Sequence, residues 1–185
     1  MNSSVVKTAC HVALIALGAL VHGPARADER TYSFNCDAPP GHFSSWTMST
    51  HATALVVSGT IELNEIRVDK KWSVVADVFL RGGDDGKTTY GFRAYDVDRQ
   101  QKSLHLELLK PGGHLDFGSD SMKPGKKPFP FRLELTASGA LSVDVGGAKQ
   151  AVELGNFKAK KVYFGCSTGD FSFEDIRIDE ASRAP

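Results

Sequence analysis

This sequence has no excess of charge of either sign, because its 22 Lys and Arg residues are balanced by 22 Asp and Glu residues. No segment gathers Lys and Arg into the basic patch that nucleic-acid-binding proteins present. Beyond the first 27 residues, no apolar run is long enough to cross a bilayer as a helix. We therefore expect no nucleic-acid partner and no membrane span in the mature protein.

Motifs of catalysis and of zinc binding are also lacking. The sequence contains no Gly-x-Ser-x-Gly, no His-Glu-x-x-His and no phosphate-binding loop. Four histidines downstream of residue 27, His42, His51, His105 and His114, do not have the spacing of zinc ligands. We assign no catalytic residue, and these patterns favour a protein that is not an enzyme.

The sequence begins with a short targeting segment, residues 1–27. Lys7 supplies a positive charge, the run from Cys10 to Leu20 is apolar, and Ala25-Arg26-Ala27 has the small-x-small pattern of a cleavage site. The apolar run is too short to span a bilayer as a helix. These features predict a secretory signal peptide, and therefore an exported protein that resides in the periplasm or outside the cell.

The mature chain would contain 185 − 27 = 158 residues, which suits one domain. Removing the leader removes two of the 22 basic residues and no acidic residue, so the mature net charge is 20 − 22 = −2. We predict a single monomeric domain over residues 28–180, followed by a frayed end at residues 181–185.

Cysteine is scarce, with three residues in the whole chain. Cys10 falls within the predicted leader, which leaves Cys36 and Cys166 in the mature protein. A pair of cysteines in an exported protein usually forms a disulfide, and we predict one here. The alternative is a redox-active pair, but the two residues are far apart and no Cys-x-x-Cys motif is present.

Alternating apolar residues dominate the mature sequence. Phe131, Leu133 and Leu135 alternate with polar residues, and the same period of two runs from Trp72 to Arg81. This period places successive side chains on opposite faces of a β-strand. No window has the 3.6-residue period of an amphipathic helix. About ten such segments lie between turns, which predicts an all-β, two-sheet antiparallel β-sandwich with no major helix.

The closing stretch, Phe129 to Ile178, carries the most specific pattern. It contains F-x-L-x-L, G-x-L-x-V-x-V, V-x-F-G and G-D-F-x-F-x-D-I-R-I in that order. This series resembles the closing strands of the concanavalin A-like lectin/glucanase superfamily, which includes laminin-G-like domains, legume lectins and laminarinase-type enzymes. The resemblance implies a jelly roll with one concave sheet, across which ligands commonly lie.

The resemblance directs attention to polar side chains on the central strands, which would line the concave sheet. Carboxylate and guanidinium groups hydrogen-bond hydroxyls, and aromatic rings stack on the faces of sugars. The candidate ligand-binding residues are Asp77, Arg93, Tyr95, His105, Glu107, Arg132 and Glu134. The alternative is that these residues form ordinary cross-strand pairs on a solvated sheet face.

Two tryptophans, Trp46 and Trp72, offer further rings on which a sugar could stack. Trp72 shares its alternation phase with Val74, Ala76 and Val78. Because those residues are apolar, we expect Trp72 to pack in the core rather than to face a ligand.

A shift of phase near the C-terminus predicts a β-bulge. Ile176 and Ile178 fall on the opposite alternation from Phe171 and Phe173, as one extra residue in a strand would cause. Members of the superfamily often bind a structural Ca²⁺ through an aspartate at the position of Asp175, so the resemblance implies a Ca²⁺ site there. The alternative is that Asp175 satisfies backbone groups at the bulge. The sequence indicates no other cofactor.

We expect an exported domain that binds a carbohydrate without chemistry. One alternative is a polysaccharide-active enzyme. A laminarinase-type hydrolase would carry Glu-x-Asp-x-x-Glu, but the nearest match, Glu62 to Glu65, lacks the aspartate and places its glutamates on opposite strand faces. A lyase would need a Tyr or His base and an Arg, for which Tyr95, His105 and Arg93 are suitable types without a family motif. Another alternative is a structural or protein-interaction domain of the cell envelope.

Overall fold

Ten β-strands make up the computed structural model, which describes residues 30–83, 86–96, 102–117 and 122–180. They are β1 (Thr31–Ser49), β2 (Leu55–Ile66), β3 (Val75–Gly82), β4 (Thr88–Tyr95), β5 (His105–Lys110), β6 (Gly113–Asp116), β7 (Phe129–Leu135), β8 (Ala140–Val145), β9 (Ala148–Glu153) and β10 (Ala159–Glu180). These ranges contain no helix, and hence none that could cross a membrane. The predicted leader and frayed end lie outside the described residues.

Two long strands organise the sheet. All pairings are antiparallel, and the strand order is β6-β5-β4-β3-β10-β2-β7-β8-β9, with β1 paired to β10. Residues 159–167 of β10 pair with β3, whereas residues 169–180 pair with β2. We call β3 to β6, together with the adjoining halves of β10 and β1, the front layer. The back layer consists of β2, β7, β8, β9 and the other halves of β10 and β1.

The apolar sides of the two layers pack against each other. Phe92 of β4 lies 5.7 Å from Phe131 of β7, measured between ring centroids, and Phe131 lies 6.2 Å from Phe164 of β10. Phe92 and Phe164 are fully buried, and Phe131 is nearly so. The predicted all-β, two-layer antiparallel sandwich of about ten strands is therefore confirmed.

β10 changes layer at Thr168. Its neighbour Ser167 pairs with β3, and Gly169 pairs with β2. Thr168 is fully buried and has a φ of 54°, a left-handed conformation that a β-branched residue seldom adopts. The backbone N–H of Gly41 donates to Thr168 Oγ1 at 3.3 Å, and the N–H of Arg67 donates to its carbonyl at 3.3 Å. These hydrogen bonds hold the chain at the crossing.

The predicted β-bulge near the C-terminus is present. The register between β10 and β2 shifts between Glu174 and Arg177, and Asp175 has a φ of 51°. A Cβ atom on Gly59 of β2 would lie 2.8 Å from the carbonyl oxygen of Glu174. Glycine is therefore required at position 59, where the bulged strand approaches its partner.

The predicted disulfide is also present and joins Cys36 to Cys166, with Cα atoms 6.0 Å apart across 130 positions of sequence. Both residues are buried. Cys36 belongs to the back-layer half of β1, whereas Cys166 belongs to the front-layer half of β10. The bond therefore fastens the two long strands to each other near the point where they change layer.

The prediction that Trp72 packs in the core is wrong. β3 begins at Val75, so Trp72 lies in the preceding loop, and 54% of its surface is exposed. The alternation continued past the end of the strand by coincidence of residue types. Trp46, by contrast, is partly buried, with its ring centroid 5.3 Å from that of Phe164.

Candidate functional site

The outward face of the front layer carries a row of charged side chains. Adjacent strands place Asp77, Arg93, Glu107 and Asp116 directly opposite one another, on β3, β4, β5 and β6 respectively. Val78, Phe92 and Leu108, which alternate with them, are buried in the core. Because side chains alternate along a strand, the charged row faces away from the core. We call this side of the layer the front face.

Asp77 and Arg93 form a bidentate ion pair in the middle of the row. Arg93 Nε donates to Asp77 Oδ1 at 2.7 Å, and Arg93 Nη2 donates to Oδ2 at 3.0 Å. Burial raises the pKa of the Asp77 carboxyl, while the hydrogen bonds from Arg93 act in the opposite direction. The same hydrogen bonds raise the pKa of Arg93. Both donors of the Arg93 fork are thus committed to Asp77.

A small cleft of about 230 Å³ opens beside this pair. We call it the acidic cleft, and its lining residues are Tyr95, His105, Leu106, Glu107, His114 and Asp116. Glu107 is buried and lies at its centre, hydrogen-bonded to the hydroxyl of Tyr95 and 3.9 Å from His114 Nδ1. Desolvation raises the pKa of Tyr95, and the negative charge of Glu107 adds to this effect.

Two aromatic rings fill the part of the front face over β3 and β10. Phe79 and Tyr163 are only 3% and 5% exposed although they point away from the core. The guanidinium of Arg81 lies 4.0 Å from the Tyr163 ring centroid, and the two rings are nearly parallel. A Cβ atom on Gly165 would lie 2.8 Å from Tyr163 Cζ, so glycine there lets the ring lie along the strand. This part of the face is filled, whereas the acidic cleft is open, as is a depression over β4 and β5 that includes Lys87, Thr89, Leu109 and Lys110.

Five of the seven predicted ligand-binding residues lie together on the front face: Asp77, Arg93, Tyr95, His105 and Glu107. The other two, Arg132 and Glu134, lie on β7 in the back layer. Arg132 Nη2 donates to Glu134 Oε2 at 3.1 Å, and both side chains are exposed. A ligand held in the acidic cleft therefore does not contact these two residues.

Sequence reasoning missed two residues of the cleft, His114 and Asp116. They alternate on β6, a strand of only four residues. A strand that short gives little periodic signal, but the histidine and the aspartate two positions apart could have been noticed on the polar phase. Their place in the cleft depends on the pairing of Glu107 with Asp116, which the sequence alone does not show.

No group of three or more His, Cys, Asp or Glu side chains in the described ranges is arranged to hold a metal ion. Asp175 is exposed on the back-layer half of β10. The Ca²⁺ site implied for Asp175 would combine its carboxylate with a main-chain carbonyl, and it stays a prediction.

No family model matches this sequence, and neither does any curated protein. Solved structures do match. A marine alginate lyase of family PL7 from Zobellia galactanivorans is 12% identical with a TM-score of 0.52, and the match covers 80% of this chain and 77% of that one. The carbohydrate recognition domain of Emp47p is 8% identical with a TM-score of 0.51, covering 83% and 87% respectively.

The fold is a concanavalin A-like jelly roll. The resemblance drawn from the closing strands is thereby confirmed. At these identities the structural likeness shows the fold alone, and it assigns no role to any residue of this jelly roll. In the acidic cleft of this jelly roll, two carboxylates, a phenol and two imidazoles face one small volume. These groups donate and accept hydrogen bonds at short range.

Proposed function

We propose that this protein is an exported carbohydrate-binding domain whose acidic cleft holds a neutral sugar without chemistry. The observation that carries the proposal is the buried carboxylate of Glu107, surrounded in the cleft by Tyr95, His105, His114 and Asp116. Each of these side chains can exchange hydrogen bonds with the hydroxyl groups of a sugar. In concave ligand sites, a few convergent polar groups of this kind fix the orientation of the ligand.

The charge of the cleft favours a neutral ligand over a uronate. No lining residue is Lys or Arg, whereas Glu107 and Asp116 are both acidic. The nearest guanidinium, that of Arg93, is held by both oxygens of Asp77. A sugar carboxylate in the cleft would therefore meet the like charge of Glu107 and Asp116, and like charges at short range repel.

The same geometry weighs against the enzymatic alternatives. A lyase acting on a uronate needs a cation to neutralise the substrate carboxylate, and neither Lys nor Arg lines the acidic cleft. The glutamates of the laminarinase-like match, Glu62 and Glu65, lie on β2 in the back layer, opposite Ser172 and Asp170. They are thus remote from the acidic cleft. The disulfide between the two long strands supports the export part of the proposal, because such bonds persist in oxidising compartments.

The test is a glycan array bearing neutral glucan, mannan and xylan oligosaccharides beside alginate and pectin oligosaccharides. The wild-type protein is compared with Tyr95→Phe and His105→Ala, which alter the cleft. Arg132→Ala is the matched control, because Arg132 is an exposed polar residue of the back layer. Each bound glycan is then incubated with the protein and assayed for new reducing ends and unsaturated products.

We expect binding to at least one class of neutral glycan, a loss of that binding in both cleft variants, and no change in the control. Binding confined to uronates would overturn the assignment of a neutral ligand. Equal loss of binding in Arg132→Ala would show that binding does not depend specifically on the acidic cleft. Product formation would establish an enzyme in place of a binding domain.

A further inference from the structure

Trp72 is an exposed ring on a loop whose backbone is held by hydrogen bonds. Its backbone N–H donates to Asp69 Oδ1 at 2.8 Å, and the N–H of Lys71 donates to the same oxygen at 2.7 Å. These hydrogen bonds form a local turn that fixes the backbone before β3. With 54% of its surface exposed, the indole is open to solvent on a backbone that the turn fixes.

A second exposed ring belongs to the segment that lies beside Trp72. Trp72 Cδ1 would lie 3.7 Å from a Cβ atom on Gly41, two residues before Phe43, which is 59% exposed. Phe43 pairs with Ser167, which pairs with Val75, which in turn pairs with Tyr95. Phe43 therefore stands in the same cross-strand row as Tyr95, at the opposite edge of the front face.

We propose that Trp72 and Phe43 form a second sugar subsite, so that the ligand is an extended oligosaccharide reaching from this aromatic pair to the acidic cleft. This inference rests on the proposed function and adds the size of the ligand to it. The apolar face of a sugar ring would stack on the indole, and its hydroxyls would be left to polar groups at the rim. We call the two residues the aromatic subsite.

The surroundings of the aromatic subsite fit a sugar better than a protein or a lipid surface. The exposed large hydrophobic residues of the described chain are Phe43, Val68 and Trp72. Their neighbours along the sequence are polar, and include His42, Asp69 and Lys71. A protein or membrane contact usually needs a contiguous apolar patch of several hundred Å². Two rings set among polar groups instead match a ligand with one apolar face and a rim of hydroxyls.

The separation of the two sites sets the length of the ligand. From Phe43 to Tyr95 the row crosses three strand-to-strand steps, which together amount to about 14 Å. One sugar ring does not span that distance, whereas a short oligosaccharide does. Between them on the row, Ser167 is only 8% exposed, and its hydroxyl donates to the carbonyl of Ser73 at 3.3 Å.

Intrinsic fluorescence tests this inference, because Trp46 and Trp72 are the only tryptophans. In the Trp46→Phe protein, Trp72 is the sole reporter. This protein is titrated with disaccharides and hexasaccharides from mannan, xylan and β-glucan, with acrylamide quenching as a second readout. Isothermal titration then compares the wild type with Trp72→Ala, Trp72→Tyr, His105→Ala and the control Val68→Ala, which removes exposed apolar surface from the same loop without removing a ring.

We expect a hexasaccharide to shift the Trp72 emission to the blue and to protect it from quenching. Trp72→Ala should weaken hexasaccharide binding about tenfold, equivalent to about 1.4 kcal/mol. Trp72→Tyr should retain most of the affinity for the hexasaccharide, and Val68→Ala should leave that affinity unchanged. Disaccharides should neither shift the Trp72 emission nor protect it from quenching. Hexasaccharide binding that depends on His105 but is unchanged in Trp72→Ala would overturn the aromatic subsite alone. Absence of binding to every oligosaccharide, or binding independent of His105, would overturn the proposed function and the subsite with it.

Discussion

At the scale of single residues, the ion pair between Asp77 and Arg93 is the least replaceable feature of the front face. The Asp77 side chain is 12% exposed and the Arg93 side chain 34%. Removing the guanidinium leaves a desolvated carboxylate without its partner, which destabilises far more than the loss of a surface pair. The pair therefore has a structural role beside the acidic cleft.

Arg93→Ala should lower the free energy of unfolding by about 3 kcal/mol. Arg132→Ala should lower it by about 0.5 kcal/mol, because the Arg132–Glu134 pair is exposed on both sides. Urea denaturation followed by circular dichroism measures both values. If Arg93→Ala proves no more destabilising than Arg132→Ala, the front-face pair is not effectively buried.

The turn at Asp69 predicts how Trp72 responds to pH. Hydrogen bonds from the N–H groups of Lys71 and Trp72 lower the pKa of Asp69 below its ordinary value of 3.8. Because the pKa of Asp69 is lower in the folded protein than in the unfolded one, its ionised carboxylate stabilises the turn fully at pH values above the unfolded pKa. This stabilisation is lost as the pH falls through the folded pKa. Protonation of Asp69 should therefore release the indole only in strong acid.

In the Trp46→Phe protein, the fluorescence anisotropy of Trp72 should stay constant on acidification until the pH is below 3.8 and then fall. Asp69→Ala should show the lower anisotropy already at neutral pH, because it lacks the acceptor. A transition at or above 3.8 in the parent protein, or unchanged anisotropy in Asp69→Ala, would mean that the turn does not hold the ring.

At the scale of strands, β1 and β10 connect the two layers, and one disulfide joins them. Cys36 and Cys166 close a loop across 130 positions of sequence. In the chain-entropy model, a cross-link of this span restricts the unfolded chain by about 4–5 kcal/mol. Both strands also contain a residue or segment outside regular pairing near the bond, namely Thr168 and residues 39–42.

The Cys36→Ala/Cys166→Ala protein should therefore lose about 4–5 kcal/mol of unfolding free energy relative to the oxidised protein. Guanidinium denaturation of the two proteins measures the difference. Thiol titration of the unreduced, unfolded mature protein should find no free thiol. Two titratable thiols would show that the disulfide does not form. Equal stability of the two proteins would show that it does not stabilise the fold.

Periodicity predicted the strands well because it is a local property. The alternation of Phe131, Leu133 and Leu135 corresponds to β7, and the phase shift after Phe173 corresponds to the bulge at Asp175. Alternation gives the face of a strand but not the layer that the strand joins. Arg132 and Arg93 are equally polar in their strands, yet they lie in different layers because β7 pairs with β2, whereas β4 pairs with β3.

The remaining features of the site depend on contacts between distant segments. The acidic cleft forms because β5 and β6 bring Glu107 opposite Asp116, and because β4 brings Tyr95 opposite His105. Trp72 continued the apolar phase of β3, but no strand partner pairs with it, so its ring stays at the surface. Pairings of this kind are set by the whole fold and leave no signal in a short window of sequence.

At the scale of the whole molecule, the proposed function divides the jelly roll into a layer that binds and a layer that supports it. The acidic cleft lies on the front face, with the proposed aromatic subsite at its edge, whereas the back layer has exposed salt bridges such as Arg132–Glu134 and Lys149–Asp144. A ligand should therefore protect one layer only. This asymmetry distinguishes a glycan-binding domain from an envelope protein that makes contacts through an edge or through the back layer.

The proposed binding face can be located by hydrogen–deuterium exchange of the oxidised protein, with and without soluble galactomannan, xylan and laminarin. We expect at least one of these neutral polymers to slow amide exchange in β4 (Thr88–Tyr95), β5 (His105–Lys110) and β6 (Gly113–Asp116), and to leave β7 (Phe129–Leu135) and β8 (Ala140–Val145) unchanged. Protection confined to β7 and β8, or no protection by any of the three polymers, would show that the front face does not bind a neutral glycan.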